Sequence, residues 1–158
     1  MHGERNVTDE TKLWGRNMLN KALKINENNE VVSLVGAGGK TSFMYALARE
    51  LSSLQRKVII TTTTHLKKPI GKNCELMILE NCPERAAHKI NQKFNISNVA
   101  LWAHKELPQG KISGILPENL EIIANKGIAD YILVEADGSK GLPIKAPAPH
   151  EPVIPKKT

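Results

Sequence analysis

The sequence predicts a three-layer α/β domain built on a mainly parallel sheet of about five strands. Three observations predict it. Stretches rich in β-branched and aliphatic residues alternate along the chain with stretches of helical periodicity, the pattern of strand-helix crossover units. An apolar run, Val31 to Val35, ends in the glycine-rich turn Gly36-Ala37-Gly38-Gly39 and opens directly into a helical pattern. A second aliphatic run, Ile132-Leu133-Val134, ends in the acids Glu135 and Asp137. At 158 residues the chain has the length of a single domain, 1–158, able to bury roughly two-thirds of its unfolded surface.

Composition sets the outer limits. With 41% hydrophobic and 24% charged residues the chain reads as an ordinary globular protein. No apolar run nears the roughly 18 residues that a membrane span requires. The opening Met1-His2-Gly3-Glu4-Arg5-Asn6 lacks the apolar centre of a signal peptide, so the expected location is cytoplasmic. Cys74 and Cys82 form neither C-x-x-C nor a familiar metal-ligand spacing, and both are expected to be structural thiols. The net charge of +6 would suit nucleic acid, but the basic residues are scattered and only 4% of residues are aromatic. Stacking platforms are therefore scarce, and an anionic small ligand accounts for the charge as well.

Residues 1–10 are polar and read as a loose start. Trp14, Met18, Ala22 and Ile25, with Leu19 and Leu23 alongside, recur at helical spacing, and Asn26-Glu27-Asn28-Asn29 then favours a turn into the first strand. The turn after that strand reads as a phosphate-binding loop. Its glycines let the backbone curl with N–H groups inward, and the following helix, 41–54, carries Met44, Leu47, Ala48, Leu51 and Leu54 on one face. The helix would aim its positive end at the same anion, with Lys40 adding a full charge. The candidate phosphate ligands are Gly36, Ala37, Gly38, Gly39, Lys40, Thr41 and Ser42. The spacing G-x-x-G-K-T is shorter than G-x-x-x-x-G-K-[ST], because position 34 is Leu34. It resembles the loop of the Mur ligases, Gly-Thr-Asn-Gly-Lys-Thr, which implies a triphosphate in a P-loop NTPase-like domain.

Lys57 to Thr64 is the second strand, since β-branched residues fill it. A strand-helix-strand unit implies parallel pairing and brings both carboxyl ends to one sheet edge. Thr62, Thr63, Thr64 and His65 would end there, either as plain strand formers or with one hydroxyl on metal or phosphate. Leu76 to Leu79 and Val99 to Ala103 are further strands, separated by a helix from Pro83 with Ala87, Ile90 and Phe94 inward. The segment 105–116 holds Pro108, Gly110 and Gly114 and reads as an irregular connection. Pro117 then starts a helix with Leu120, Ile123 and Ala124, closed by Gly127 as its C-cap.

The strand from Tyr131 into Glu135-Ala136-Asp137-Gly138 looks like a Walker B strand. Such a carboxylate holds a magnesium ion while Thr41 supplies another donor; either Glu135 or Asp137 takes the metal and the other positions water. Lys40 and Asp137 are the candidate catalytic residues. Asn125-Lys126-Gly127 is followed by Ile128, so the guanine-reading N-K-x-D is missing and ATP is preferred to GTP. Over 138–158 the prolines Pro143, Pro147, Pro149, Pro152 and Pro155 force an extended path. Lys140, Lys145 and His150 there either reach a ligand above Asp137 or are solvated charge.

Three stretches resemble the selenium-dependent hydroxylase accessory protein family, YqeC. They are Val32 to Thr41, Thr61 to Thr64, and Val134 to Gly138 continuing through Lys145-Ala146-Pro147-Ala148-Pro149-His150-Glu151-Pro152-Val153-Ile154-Pro155, all lying within the span 31–155. The resemblance implies a P-loop-type fold and a role in maturing selenium-dependent molybdenum hydroxylases, with such a hydroxylase or its maturation machinery as partner. It brings no characterised reaction. Family members run on beyond the proline-rich stretch, so a C-terminally truncated form is expected. Two rivals come from other classes: a non-catalytic scaffold that uses nucleotide to shape itself for a partner and, less favoured, a nucleic-acid-binding module.

Overall fold

Runs of Val, Ile and Leu form the strands because such side chains suit a pleated surface covered on both faces. The computed structural model describes residues 18–25, 28–71, 76–138, 152–156 and 158. Its elements are α1 (Met18–Ala22), β1 (Glu30–Leu34), α2 (Lys40–Ser53), β2 (Val58–Thr62), β3 (His65–Lys67), β4 (Met77–Leu79), α3 (Pro83–Phe94), β5 (Val99–Ala103), β6 (Lys105–Leu107), β7 (Lys111–Ser113), α4 (Pro117–Lys126) and β8 (Tyr131–Glu135). Five strands make one parallel sheet in the order β1-β8-β2-β5-β4. Three short strands make a separate antiparallel sheet, β3-β7-β6.

Every position of β2, β5 and β8 is buried, which explains their continuous apolar runs. Successive residues serve opposite faces. Val58, Ile60, Leu101 and Leu133 pack with Met44, Leu47, Ala48 and Leu51 of α2 on one side. On the other, Ile59, Ala100, Trp102, Ile132 and Val134 pack with Ala86 and Ile90 of α3 and with Leu120 and Ile123 of α4. The result is the expected three-layer α/β arrangement, P-loop-like in its parallel sheet and flanking helices. The small first helix is tied to α2 by Glu50, whose carboxylate accepts from the backbone N–H groups of Leu19 and Asn20 at 3.1 and 3.0 Å.

Four details differ from the sequence reading. First, β1 and β2 run parallel as expected but do not pair, because β8 lies between them with the register Leu34↔Glu135 on one side and Thr62↔Glu135 on the other. The aliphatic run of β8 has no polar face to give to solvent, so it takes a central place. Second, the run 57–64 is strand only from Val58 to Thr62: Thr63 and Thr64 bend, and a separate strand, β3, starts at His65 and leaves for the small sheet. Third, the segment 105–116 is not irregular. It holds the hairpin β6-β7, turned at 108–110 with Gln109 and Gly110 at φ 62° and 63°. Strands of three residues, each with about one inward side chain, show no period to read. Fourth, Leu54 belongs to the helix end rather than its apolar face and is 38% exposed.

One glycine makes the join between the sheets possible. A Cβ on Gly114 would stand 2.3 Å from the carbonyl oxygen of Thr62. The hydrogen bonds Gly114 N–H to Thr64 O, 2.6 Å, and Ile115 N–H to Thr62 O, 2.8 Å, draw the returning chain onto the end of β2. Trp14, the turn residues Asn26 and Glu27, Cys74, and Lys140, Lys145 and His150 lie outside the described residues.

Candidate functional site

The carboxyl ends of the parallel strands converge on one edge, and the turn after β1 occupies it. Gly36 and Gly39 take φ of 106° and 90°, values a side chain would strain, and they fold the turn tightly against the start of α2. Gly39 is the helix N-cap and brings no side-chain cap, and the first turn carries no acid. The leading N–H groups of α2 and the positive end of its dipole therefore face the turn, the chemistry that receives anions. Gly36, Gly38, Gly39 and Ser42 are exposed, so this face is open to a ligand.

Because β8 is the neighbour of β1, its terminal acids come alongside the turn. The Thr41 hydroxyl donates to Glu135 Oε2 at 2.6 Å. Asp137 uses both oxygens: Oδ2 accepts from the Gly36 N–H at 2.8 Å, and Oδ1 pairs with the Lys40 ammonium at 2.8 Å. Lys40 also donates to the carbonyls of Gly36 and Ala37, at 2.6 and 3.0 Å. Lys40, Glu135 and Asp137 are 8%, 5% and 4% exposed, so three ionisable groups share a buried corner. Burial pushes the Glu135 carboxyl above its usual range, the like charge of Asp137 adds to this, and the Thr41 hydroxyl and Lys40 oppose it.

The donor set suits a hard cation. Among the described residues no group of three or more His, Cys, Asp or Glu could hold a metal unaided. Thr41 and Glu135 offer adjacent oxygens, which fits magnesium, an ion that keeps waters and takes further oxygens from phosphate.

The threonine run turns out to be a clasp. Thr61 donates to the Trp102 carbonyl at 2.8 Å, Thr62 to the Glu135 carbonyl at 2.8 Å, and Thr63 to the Val153 carbonyl at 2.7 Å. The Thr64 N–H returns a bond to the Thr62 hydroxyl at 3.1 Å. These hydroxyls lock the end of β2 to its neighbours and to the tail. The Val153 N–H donates to the Ala136 carbonyl at 2.9 Å, so the described part of the proline-rich tail also closes on the acid-bearing end of β8.

Residues 32–158 match the family model described as YqeC protein. The chain belongs to the YqeC family. An Escherichia coli (strain K12) relative, described as Uncharacterized protein YqeC, is 40% identical over 129 residues. That match covers 81% of this chain and 48% of the relative, so the chain spans about half the length of the curated YqeC protein it matches. No solved structure matches the chain. Among the described residues of this YqeC family member, no helix is long and apolar enough to cross a membrane.

The structure adds one residue that the sequence reading passed over. Tyr45 stands one turn after Thr41 on α2, and its hydroxyl is buried near the Glu135 carboxylate without a hydrogen-bond partner among the described residues. Its spacing of four from Thr41 was the available signal. A cavity of about 370 Å³ lies far from this corner, between β4 and α3, lined by Met77, Leu79, Lys89 and Ile96 among others. It holds none of the candidate residues. Cys82 is at the N-cap of α3, where its thiol donates to Glu84 Oε2 at 3.2 Å.

Proposed function

We propose that this YqeC family chain binds a magnesium-nucleoside triphosphate, ATP in preference to GTP, at the turn 36–41. One observation carries the reading: a glycine turn with an uncapped helix start, a lysine and a threonine in register, and two strand-end acids within hydrogen-bond reach. The backbone N–H groups of 37–39, the first turn of α2 through Ser42, and Lys40 would hold phosphate oxygens, the Gly36 N–H being taken by Asp137. Thr41 with Glu135, or with Asp137, would hold the magnesium, which when bound neutralises charge on the phosphates. Lys40 meets a phosphate by exchanging carbonyl and carboxylate oxygens for phosphoryl oxygens, a like-for-like trade of charge-assisted bonds. Asp137, still held through Gly36, is then a free carboxylate able to orient water, and Lys40 and Asp137 would be the groups on which any phosphoryl transfer depends.

Calorimetric titration with magnesium-ATP and magnesium-GTP tests this directly. Binding by the wild type, tighter for ATP and lost in Lys40→Ala, is the expected result. Absence of binding to either nucleotide sinks the site. Turnover of bound ATP separates an enzyme from a nucleotide-shaped scaffold; the scaffold reading draws support from both acids being already engaged, Glu135 with Thr41 and Asp137 with Lys40.

The cellular role we infer, maturation of selenium-dependent molybdenum hydroxylases, rests on the family resemblance. Its test is hydroxylase activity and selenium content in cells lacking the gene. Unchanged values in both would remove it.

A further inference from the structure

The inference concerns Tyr45 and rests on the magnesium-nucleotide reading of the same corner. Residues four apart on a helix share a face, and long side chains lean back towards the helix N-terminus. The Tyr45 ring therefore lies over the turn that carries Thr41, whose hydroxyl is bonded to Glu135. The Tyr45 hydroxyl oxygen is enclosed by protein and has no hydrogen-bond partner among the described residues. Burial, with the Glu135 charge adding to it, pushes its pKa up to about 12, so the group is a neutral O–H donor at ordinary pH. A buried donor without an acceptor is unfavourable, and phenylalanine would fill the same space without that cost.

We propose that the Tyr45 hydroxyl is a positioning group of the site, donating to an oxygen that arrives with the ligand beside Thr41 and Glu135. That oxygen is either a water of the magnesium shell or a phosphate oxygen. The acceptor for the Tyr45 hydroxyl thus comes with the ligand rather than from the fold. Tyr45 supplies orientation rather than charge, and the benefit of its hydroxyl is confined to the bound state.

The test is Tyr45→Phe in the same chain, read two ways. Without ligand, the variant should melt at a higher temperature than the wild type, since the unpaired hydroxyl is gone. With magnesium-ATP it should bind about tenfold more weakly, the scale of one lost hydrogen bond. A structural role would move both readings in the same direction. Titrations with magnesium-ATP, with ATP in the presence of a chelator, and with magnesium alone locate the acceptor. A loss seen only when magnesium is present assigns a metal-bound water, and an equal loss with and without it assigns a phosphate oxygen. Equal magnesium-ATP affinity for variant and wild type overturns the proposal while leaving the nucleotide reading intact. A wild type that binds no nucleotide overturns both, and a ligand-free variant less stable than the wild type shows that the hydroxyl already has its partner and overturns this proposal alone.

Discussion

Removing either member of the Lys40–Asp137 pair should reveal how much of the fold is held by the glycine turn. The two side chains are 7% and 6% exposed and their charged atoms are 2.8 Å apart. Lys40→Met leaves Asp137 with one donor, the Gly36 N–H, and a buried uncompensated charge, at a cost of about 3 kcal/mol. Asp137→Asn is milder, about 2 kcal/mol, because Lys40 keeps the Gly36 and Ala37 carbonyls and the asparagine oxygen can still accept from Gly36. In the double variant both charges are gone together, so no buried charge is left uncompensated, and the loss of the ion pair and of the Lys40 bonds to the Gly36 and Ala37 carbonyls costs about 2 kcal/mol in all. The singles therefore sum to about 5 kcal/mol against 2 for the double, a coupling of about 3 kcal/mol, as expected for contacting charges. For a chain of this size Lys40→Met should lower the ligand-free melting temperature by roughly 6–12 °C. Urea unfolding of the four proteins, followed by circular dichroism, measures the cycle. Single costs that simply add, with a coupling under about 0.5 kcal/mol, would refute the buried pair and mean that Lys40 already points into the open cleft.

Three other outcomes follow from particular contacts. Gly114→Ala drives a methyl group into the Thr62 carbonyl, so the small sheet must separate from β2; a loss of about 4 kcal/mol or an insoluble product is expected, and a thermal melt within 2 °C of wild type would contradict the close approach, given roughly 2–4 °C per kcal/mol. In an alkaline titration followed by tyrosinate absorbance, Tyr45 should ionise near 12 rather than at 10.0, and stability should fall across that interval as the unfolded chain releases its proton first; a folded-state step at 10.0 counts against the buried hydroxyl. Burial of Glu135 makes the folded state hold its proton more tightly than the unfolded chain does. Stability should therefore decline as pH rises from 4.5 through the lifted value, and Glu135→Gln should flatten that slope; an unchanged slope would mean that the carboxyl is solvated.

The layers of the fold were legible because burial on both faces writes itself as uninterrupted aliphatic sequence, as in Ile132-Leu133-Val134 and Val58-Ile59-Ile60. Strand order was not. Nothing local in β8 states that it enters between β1 and β2, since that choice is made by packing with partners that are 101 and 73 residues away at Glu135. The hairpin around Gln109 and Gly110 was hidden because three-residue strands carry too few side chains to show alternation. At the site, Gly36 to Thr41 and both acids were visible from residue type and spacing, and the structure brings them into contact. What residue type could not show was pairing: that Asp137 takes Lys40 while Glu135 takes Thr41, that the threonines bond to carbonyls, and that Tyr45 reaches the same corner.

The register of β1 against β8 has a consequence for how the protein is made. Gly36 and Asp137 are 101 residues apart in sequence yet directly bonded. At typical synthesis rates of about 5–20 residues per second, the glycine turn leaves the ribosome roughly 5–20 seconds before the acids that complete it. During that interval α2 and β2 can form, but β1 still waits for β8, its partner in the sheet among the described residues, and closing so long a loop is slow compared with local helix formation. The turn is thus synthesised well before the strand that completes it, and its assembly waits on that strand. A nascent chain cannot possess the corner until β8 has been threaded into the middle of the sheet.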